Sequence, residues 1–212
     1  SAAQLRAFFD FDLESSKELM LKVALSPVSM EGAVENMKRE APDWDFNRYQ
    51  KNGEDMWEQE LDKFDVQMLN EDDLTNFYTA VYHTCLGPTI YQDYDGQYRG
   101  LDFANWYNKD TNSLNYTTFS LWDTYRALHP LFNLVQRKRN ADMVNSIIAH
   151  QKQSAEKMLP IWSHYANENW CMIGYHSVSV ISDAYNKGLE GIDYNQALEA
   201  CVQTARTRYF EG

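Results

Sequence analysis

Between Trp162 and His176 the sequence reads WSHYANENWCMIGYH. This run places one carboxyl (Glu168), two side-chain amides (Asn167 and Asn169), two histidines and two tryptophans in a single predicted loop. Tryptophan beside a carboxyl suits acid catalysis on a sugar. The indole stacks on a pyranose face, and an apolar neighbour favours the protonated carboxyl that a general acid needs. The same residues also fit a plainer arrangement, with Glu168 solvated and Trp162 and Trp170 in the core.

A second run, FSLWDTYRALHP from Phe119 to Pro130, carries Trp122 and Asp123. Phe119, Asp123 and Arg126 follow three-four spacing and would share one helix face. Asp123 either pairs with Arg126 or accepts hydrogen bonds from sugar hydroxyls. Asp93, Asp95 and Gly96 have the look of a calcium loop, but the distal bidentate Glu is absent, which leaves an ordinary tight turn. His83 lies on an apolar helix face and reads as structural. No His-Glu-x-x-His pair, Gly-rich phosphate loop or nucleophile elbow is found.

The elements that must hold these residues read as helical after a short extended start. From Leu5 to Ser29 the pattern has period two: Leu19, Leu21, Val23 and Leu25 alternate with Met20, Lys22 and Ala24, and Phe8 to Phe11 offers a partner strand. Ser29 caps a helix through about Arg39, and Pro42 suits the first turn of the amphipathic segment that follows. Leu74 to Cys85 forms a third helix, stopped by Gly87-Pro88, with Asp72 and Asp73 at its N-terminus. Thr89 to Leu114 is a long loop of the kind that tends to carry function. Four further helices are expected at about Tyr116–His129, Ala141–Lys152, Val178–Lys187 and Tyr194–Tyr209. Moderate connections between them predict antiparallel helical hairpins rather than alternating strand and helix.

The 212 residues are 44% hydrophobic and 24% charged, a globular composition, with a high aromatic content of 14%. A net charge of -12 and the lack of a basic stripe exclude a nucleic-acid partner. No apolar run reaches the length of a membrane span. The three cysteines, Cys85, Cys171 and Cys201, match no zinc spacing and are expected as small buried groups.

Together FSLWDTYRALHP, NENWCMIGYH (Asn167–His176), FYTAVYHT (Phe77–Thr84) and DYDGQYRG (Asp93–Gly100) closely resemble glycoside hydrolase family 92, in consecutive order over nearly the whole chain. The resemblance implies an inverting, calcium-dependent exo-α-mannosidase acting on terminal α-mannosides of N-glycan or mannan-type substrates. It implies a mainly α fold, a partial (α/α)6 barrel of helical hairpins preceded by a short β remnant. Residues 1–29 would be terminal strands of an N-terminal β-sandwich, 30–70 connecting helices, and 71–212 the first part of the catalytic domain. Glu168 takes the general-acid position of the family motif, and Trp122 and Asp123 take the positions that contact the terminal mannose. Trp170 and His176 join them as expected substrate contacts. The family's base belongs to a later Asp motif with no equivalent before Gly212, and its calcium ligands come largely from later segments, so the metal ligands are unknown here. The expected partners are a mannose-containing oligosaccharide and either the remaining part of the catalytic domain or a second copy. The expected location is secreted or periplasmic. The alternatives are a carbohydrate-binding or structural helical module without catalysis, and a helical protein-interaction domain.

Overall fold

The first helix begins where the sequence supplies a cap: the Ser29 hydroxyl accepts the Gly32 amide, and α1 runs Met30–Glu40. The architecture is that of a computed structural model, in which residues 6–13, 17–108 and 112–208 are described. Helix α2 (Phe46–Leu61) is capped by Asp45, so Pro42 lies ahead of the helix rather than in its first turn. Helix α3 (Glu71–Thr84) is capped by Asn70, has Glu71, Asp72 and Asp73 in its first turn, and ends ahead of a cis Gly87-Pro88 bond.

The expected long loop after α3 is partly ordered into ladders. Strand β1 (Thr89–Ile90) pairs antiparallel with β4 (Tyr116–Thr117), and β2 (Gln97–Arg99) with β3 (Asn105–Tyr107). The single helix expected over 116–129 is not formed. Tyr116 and Thr117 are in β4, Thr118 has a φ of 65°, and two short helices follow, α4 (Leu121–Thr124) and α5 (Leu128–Val135). The physical reason lies in the main chain. The Phe119 and Leu121 amides donate to the Ser163 and Ile161 carbonyls at 2.9 and 3.3 Å. Those donors are therefore not part of a helix ladder. Pro130 sits in the first turn of α5, where its missing donor costs nothing.

Helix α6 (Arg137–Gln153) precedes a small hairpin of β5 (Ser163–His164) and β6 (Asn167–Glu168), then α7 (His176–Asn186) and α8 (Tyr194–Arg206). Helices α5 to α8 pack on one another around Phe119, Leu121, Val144, Ile147 and Val180, all 0% exposed. The fold is mainly helical, with packed hairpins and two-stranded sheets, the layout of a partial (α/α) barrel.

Polar groups share this interior. The Asp183 carboxylate accepts from Asn133 Nδ2 at 2.7 Å, Asn133 Oδ1 accepts from Asn140 Nδ2 at 2.5 Å, and Asn140 Oδ1 lies 2.7 Å from His129 Nδ1. A carboxylate only accepts, so each amide's direction is fixed in turn and His129 Nδ1 must donate. Burial pushes the His129 pKa down, which agrees with a neutral ring. The chain of bonds ties α5, α6 and α7 together.

Residues 6–13 and 17–28 form no ladder with each other among the described residues. The period-two alternation is nevertheless present. Lys22, Ala24 and Ser26 are half-buried against the body, while Leu21, Val23 and Leu25 are 76–83% exposed. Lys22 Nζ reaches the Ala41 carbonyl at 2.7 Å and sits over the Trp44 ring. A ladder needs a paired strand, and this β remnant presents its apolar side outward.

Candidate active site

Glu168 is held by main-chain donors. Its Oε2 accepts the Ile161 amide at 2.9 Å; its Oε1 accepts the Trp162 amide at 2.9 Å and the Trp170 amide at 3.1 Å. The sequence suggested a carboxyl beside tryptophans; two of its three donors are the main-chain amides of Trp162 and Trp170. Each carboxylate oxygen has two lone pairs, so Oε1 is saturated by these bonds and Oε2 retains one free position. Trp170 delivers its amide from a left-handed backbone conformation, φ 51°, which turns the chain back over the carboxylate.

Trp122 and His176 meet. Their rings are 5.2 Å apart edge to face, and the Tyr125 ring lies 4.3 Å from His176. Gly174 permits this: its φ is 120°, and a Cβ there would stand 2.0 Å from the His176 ring. The two motif segments are joined through the backbone, since Leu121 donates to Ile161 and Ile161 donates to Glu168. The segment leading to Trp122 is thus hydrogen-bonded to the segment that holds Glu168, and Trp122 itself meets His176.

Asp123 lies next to this cluster in sequence, but its side chain is exposed and has no ion-pair or hydrogen-bond partner among the described residues. The expected Asp123–Arg126 pair is absent from them. Helix α4 stops at Thr124, so three-residue helical spacing is not sustained, and Arg126 instead donates to the Tyr125 hydroxyl at 3.2 Å. The Asp93 turn is tied to other elements. Asp93 is 3% exposed and accepts from Ser26 Oγ at 2.6 Å and Asn36 Nδ2 at 2.8 Å. It clasps α1 and the leading segment rather than the rim of the Glu168 site. Tyr91 of that region meets the hairpin edge to face, its ring 5.6 Å from that of Tyr165.

Clefts of about 510–650 Å³ open elsewhere, beside α1, α8, α2 and the leading segment, and none of these four is lined by Glu168, Trp122, Asp123, Trp170 or His176. Among the described residues no group of three or more His, Cys, Asp or Glu side chains is arranged to hold a metal ion. These residues do not by themselves fit a calcium centre. Cys171 is exposed, against expectation, in a run of exposed residues from 171 to 175; Cys85 and Cys201 are half-buried. Among the described residues no helix is long and apolar enough to cross a membrane.

Residue types alone did not point to the groups that fix the 159–165 segment. The Leu159 amide donates to Thr204 of α8 at 2.9 Å, Ser177 of α7 donates to the Pro160 carbonyl at 2.5 Å, and Ser163 Oγ lies 2.9 Å from His150 of α6. The Tyr165 amide donates to Thr117 of β4 at 2.5 Å. The available signal was small polar residues within otherwise apolar stretches.

Residues 32–212 match the glycosyl hydrolase family 92 catalytic domain, and the chain belongs to that family. A family GH92 α-mannosidase from Bacteroides thetaiotaomicron, solved alone and in complex with mannoimidazole, is similar at 50% identity and a TM-score of 0.83 over 87% of this chain. A family GH92 inverting mannosidase from the same organism is 30% identical, with a TM-score of 0.79 over 88% of this chain. The chain spans 24% and 25% of those two proteins respectively. No match is found among curated proteins.

Proposed function

We propose that this chain is part of an exo-acting α-mannosidase that hydrolyses terminal α-mannosides of N-glycan or mannan-type substrates with inversion, Glu168 being the general acid. The observation that supports this reading is the Trp122–His176 pair, whose leading segment is hydrogen-bonded to the hairpin that carries Glu168. The triple amide clamp on Glu168 fixes the carboxyl's place while its three donors favour the carboxylate, so the bound sugar and the exclusion of water would have to restore the proton, which the free position on Oε2 would carry to the departing glycosidic oxygen. The exposed Trp122 face offers a sugar platform, with Asp123 free to accept hydroxyl hydrogen bonds. Trp170 and His176 complete the substrate contacts.

In an inverting mechanism the base stands roughly 6.5–9.5 Å from the acid and activates water on the opposite sugar face. We assign that base, and the ligands of a calcium ion, to segments other than those described. Calcium would supply electrostatic stabilisation and orientation of sugar hydroxyls. Residues 1–29 are assigned to the end of a preceding β-sandwich, 30–70 to connecting helices and 71–212 to the opening of the catalytic domain. Exposed apolar side chains on α8 (Leu198 and Val202) and at Ile173 would then meet further parts of the enzyme. A secreted or periplasmic location accords with a polymeric glycan substrate.

The test compares mannobiose with an activated aryl mannoside as substrates for the full-length protein and its Glu168→Gln variant. Proton donation is worth roughly 10²–10⁴-fold, so the variant should lose about that much turnover on mannobiose. It should lose far less where the leaving group needs no proton. Wild-type rates on mannobiose would remove the acid role. The 212-residue chain alone should be essentially inactive; calcium-dependent turnover by it would place the base within these residues.

A further inference from the structure

We propose that His150 is a positioning residue for Glu168, acting through Ser163. The inference rests on the acid role given to Glu168 above. The Glu168 carboxylate is held by the Ile161, Trp162 and Trp170 amides. Its location therefore depends on where the 161–163 backbone lies.

Ser163 is the residue that fixes this backbone. It is cross-strand partner to Glu168 in the β5–β6 hairpin, follows Trp162 directly, and its carbonyl accepts the Phe119 amide at 2.9 Å. It is 0% exposed, so its hydroxyl must find a partner inside the protein. That partner is His150 Nδ1 at 2.9 Å. His150 is 2% exposed, and its ring stands edge-on to Phe119 at 5.7 Å. It thus touches both the segment that carries Glu168's donors and the segment that leads to Trp122.

The imidazole is suited to positioning. Burial pushes its pKa down to about 4, so the ring is neutral near pH 7. A hydroxyl both donates and accepts, so the bond forms with either neutral tautomer. The ring projects from α6, the helix with the most buried residues, and a site held by a helix is more precise than one held by a loop. His150 bonds to Ser163 and Glu168 to the Ile161, Trp162 and Trp170 amides, so no proton transfer between the two is assigned.

The experiment uses the full-length protein and three variants: His150→Leu, Ser163→Ala and His150→Asn. The first two delete the bond, and the third returns an amide atom near the former Nδ1. A misplacement of about 1 Å can cost roughly 10²-fold. His150→Leu and Ser163→Ala should therefore lower kcat on mannobiose by about ten- to a hundredfold, with KM little changed. The loss should be smaller on the activated aryl mannoside, and His150→Asn should recover most of it. A folded His150→Leu protein with wild-type kcat on mannobiose, or with equal losses on both substrates, would overturn the proposal. If His150→Leu does not fold, the same comparison on Ser163→Ala decides.

Hydrogen exchange at the Ile161 and Trp162 amides provides a readout without substrate. Faster exchange in Ser163→Ala is expected, and unchanged exchange counts against the proposal. If the wild-type protein leaves every mannoside intact, the mannosidase reading falls and the exchange result alone decides the positioning role.

Discussion

Helices α6 and α2 are nearly equal in length, seventeen residues and sixteen, and opposite in how they are held. Helix α6 has eleven buried residues and α2 has none. Six of the eleven are polar: Asn140, Asp142, Ser146, His150, Gln151 and Gln153. Each finds a partner in a different neighbour. Ser146 accepts the Tyr116 amide, Asp142 accepts from Ser113 and Lys138, Gln151 donates to the Lys157 carbonyl, and Gln153 donates to Tyr98. Helix α2 is attached by far less. Trp57 stacks on Tyr82 of α3 at 4.7 Å, and Glu60 takes Arg139, Lys63 and Gln136. A central helix is specified by buried polar pairs as well as apolar contacts, whereas a peripheral one relies on a single charged clamp.

The sharpest break in the comparison comes from the apolar centre. Ile147→Ala on α6 removes a fully buried side chain and should cost about 2–5 kcal/mol. Met56→Ala on α2, at a position 67% exposed, should stay within roughly 0.5 kcal/mol of wild type. Chemical denaturation of the two variants measures both. Equal effects would show that α2 packs far more tightly than its exposure indicates.

Acid sharpens the same comparison. His150 is held down to about 4 by burial, against an ordinary value of 6.5. Between those values the unfolded chain binds the proton and the folded one does not, so stability falls as pH falls. The contribution of this ring, roughly 3 kcal/mol, is present above pH 6.5 and lost by about pH 4. His129, also pushed down by burial, adds to the loss in the same direction. The variant His150→Asn lacks one titrating ring. The stability difference between it and wild type should therefore shift with pH between 6.5 and 4, and a constant difference would remove this role of His150 burial.

The contrast between the helices also explains what was legible in the sequence. Ser29 as a cap, the acidic start of α3, the Gly-Pro stop and the positions of α7 and α8 follow from local chemistry and were readable. The helix expected at 116–129 was not, because the Phe119 and Leu121 amides are committed to a distant segment that no local pattern announces. At the site, Glu168, Trp122 and His176 stood out by type; the fold puts Trp122 against His176 and bonds their neighbouring segment to the one that holds Glu168. The groups that hold Glu168 did not stand out, because they are main-chain amides shared by every residue type. The partners of Asp93 were hidden for a related reason. Its turn looked like a loop feature, yet its carboxylate is spent on Ser26 and Asn36, far away in sequence.

The smaller of the two pH-dependent effects is expected at the α2 clamp, and acid can isolate it. Burial alone would raise the Glu60 carboxyl, but hydrogen bonds from Arg139, Lys63 and Gln136 outweigh it and hold the group at about 2, against 4.5 ordinarily. A depressed carboxyl stabilises the fold above its unfolded value and loses that contribution as pH falls through the folded one. Its side chain keeps 16% of its exposure and Arg139 keeps 44%, so solvent screens the pair. Glu60→Gln should then cost about 1–2 kcal/mol at pH 6, between a surface ion pair and a buried charged hydrogen bond. At pH 3 the gap between variant and wild type should have begun to close, because the wild-type folded state has by then lost part of its advantage. His150 titrates within this range, but its loss is common to both proteins, so it cancels in the difference. Urea titrations of the pair at pH 6 and pH 3 check the prediction. A gap that stays constant down to pH 3 would mean that Glu60 holds α2 by packing and neutral hydrogen bonding, and not by its charge.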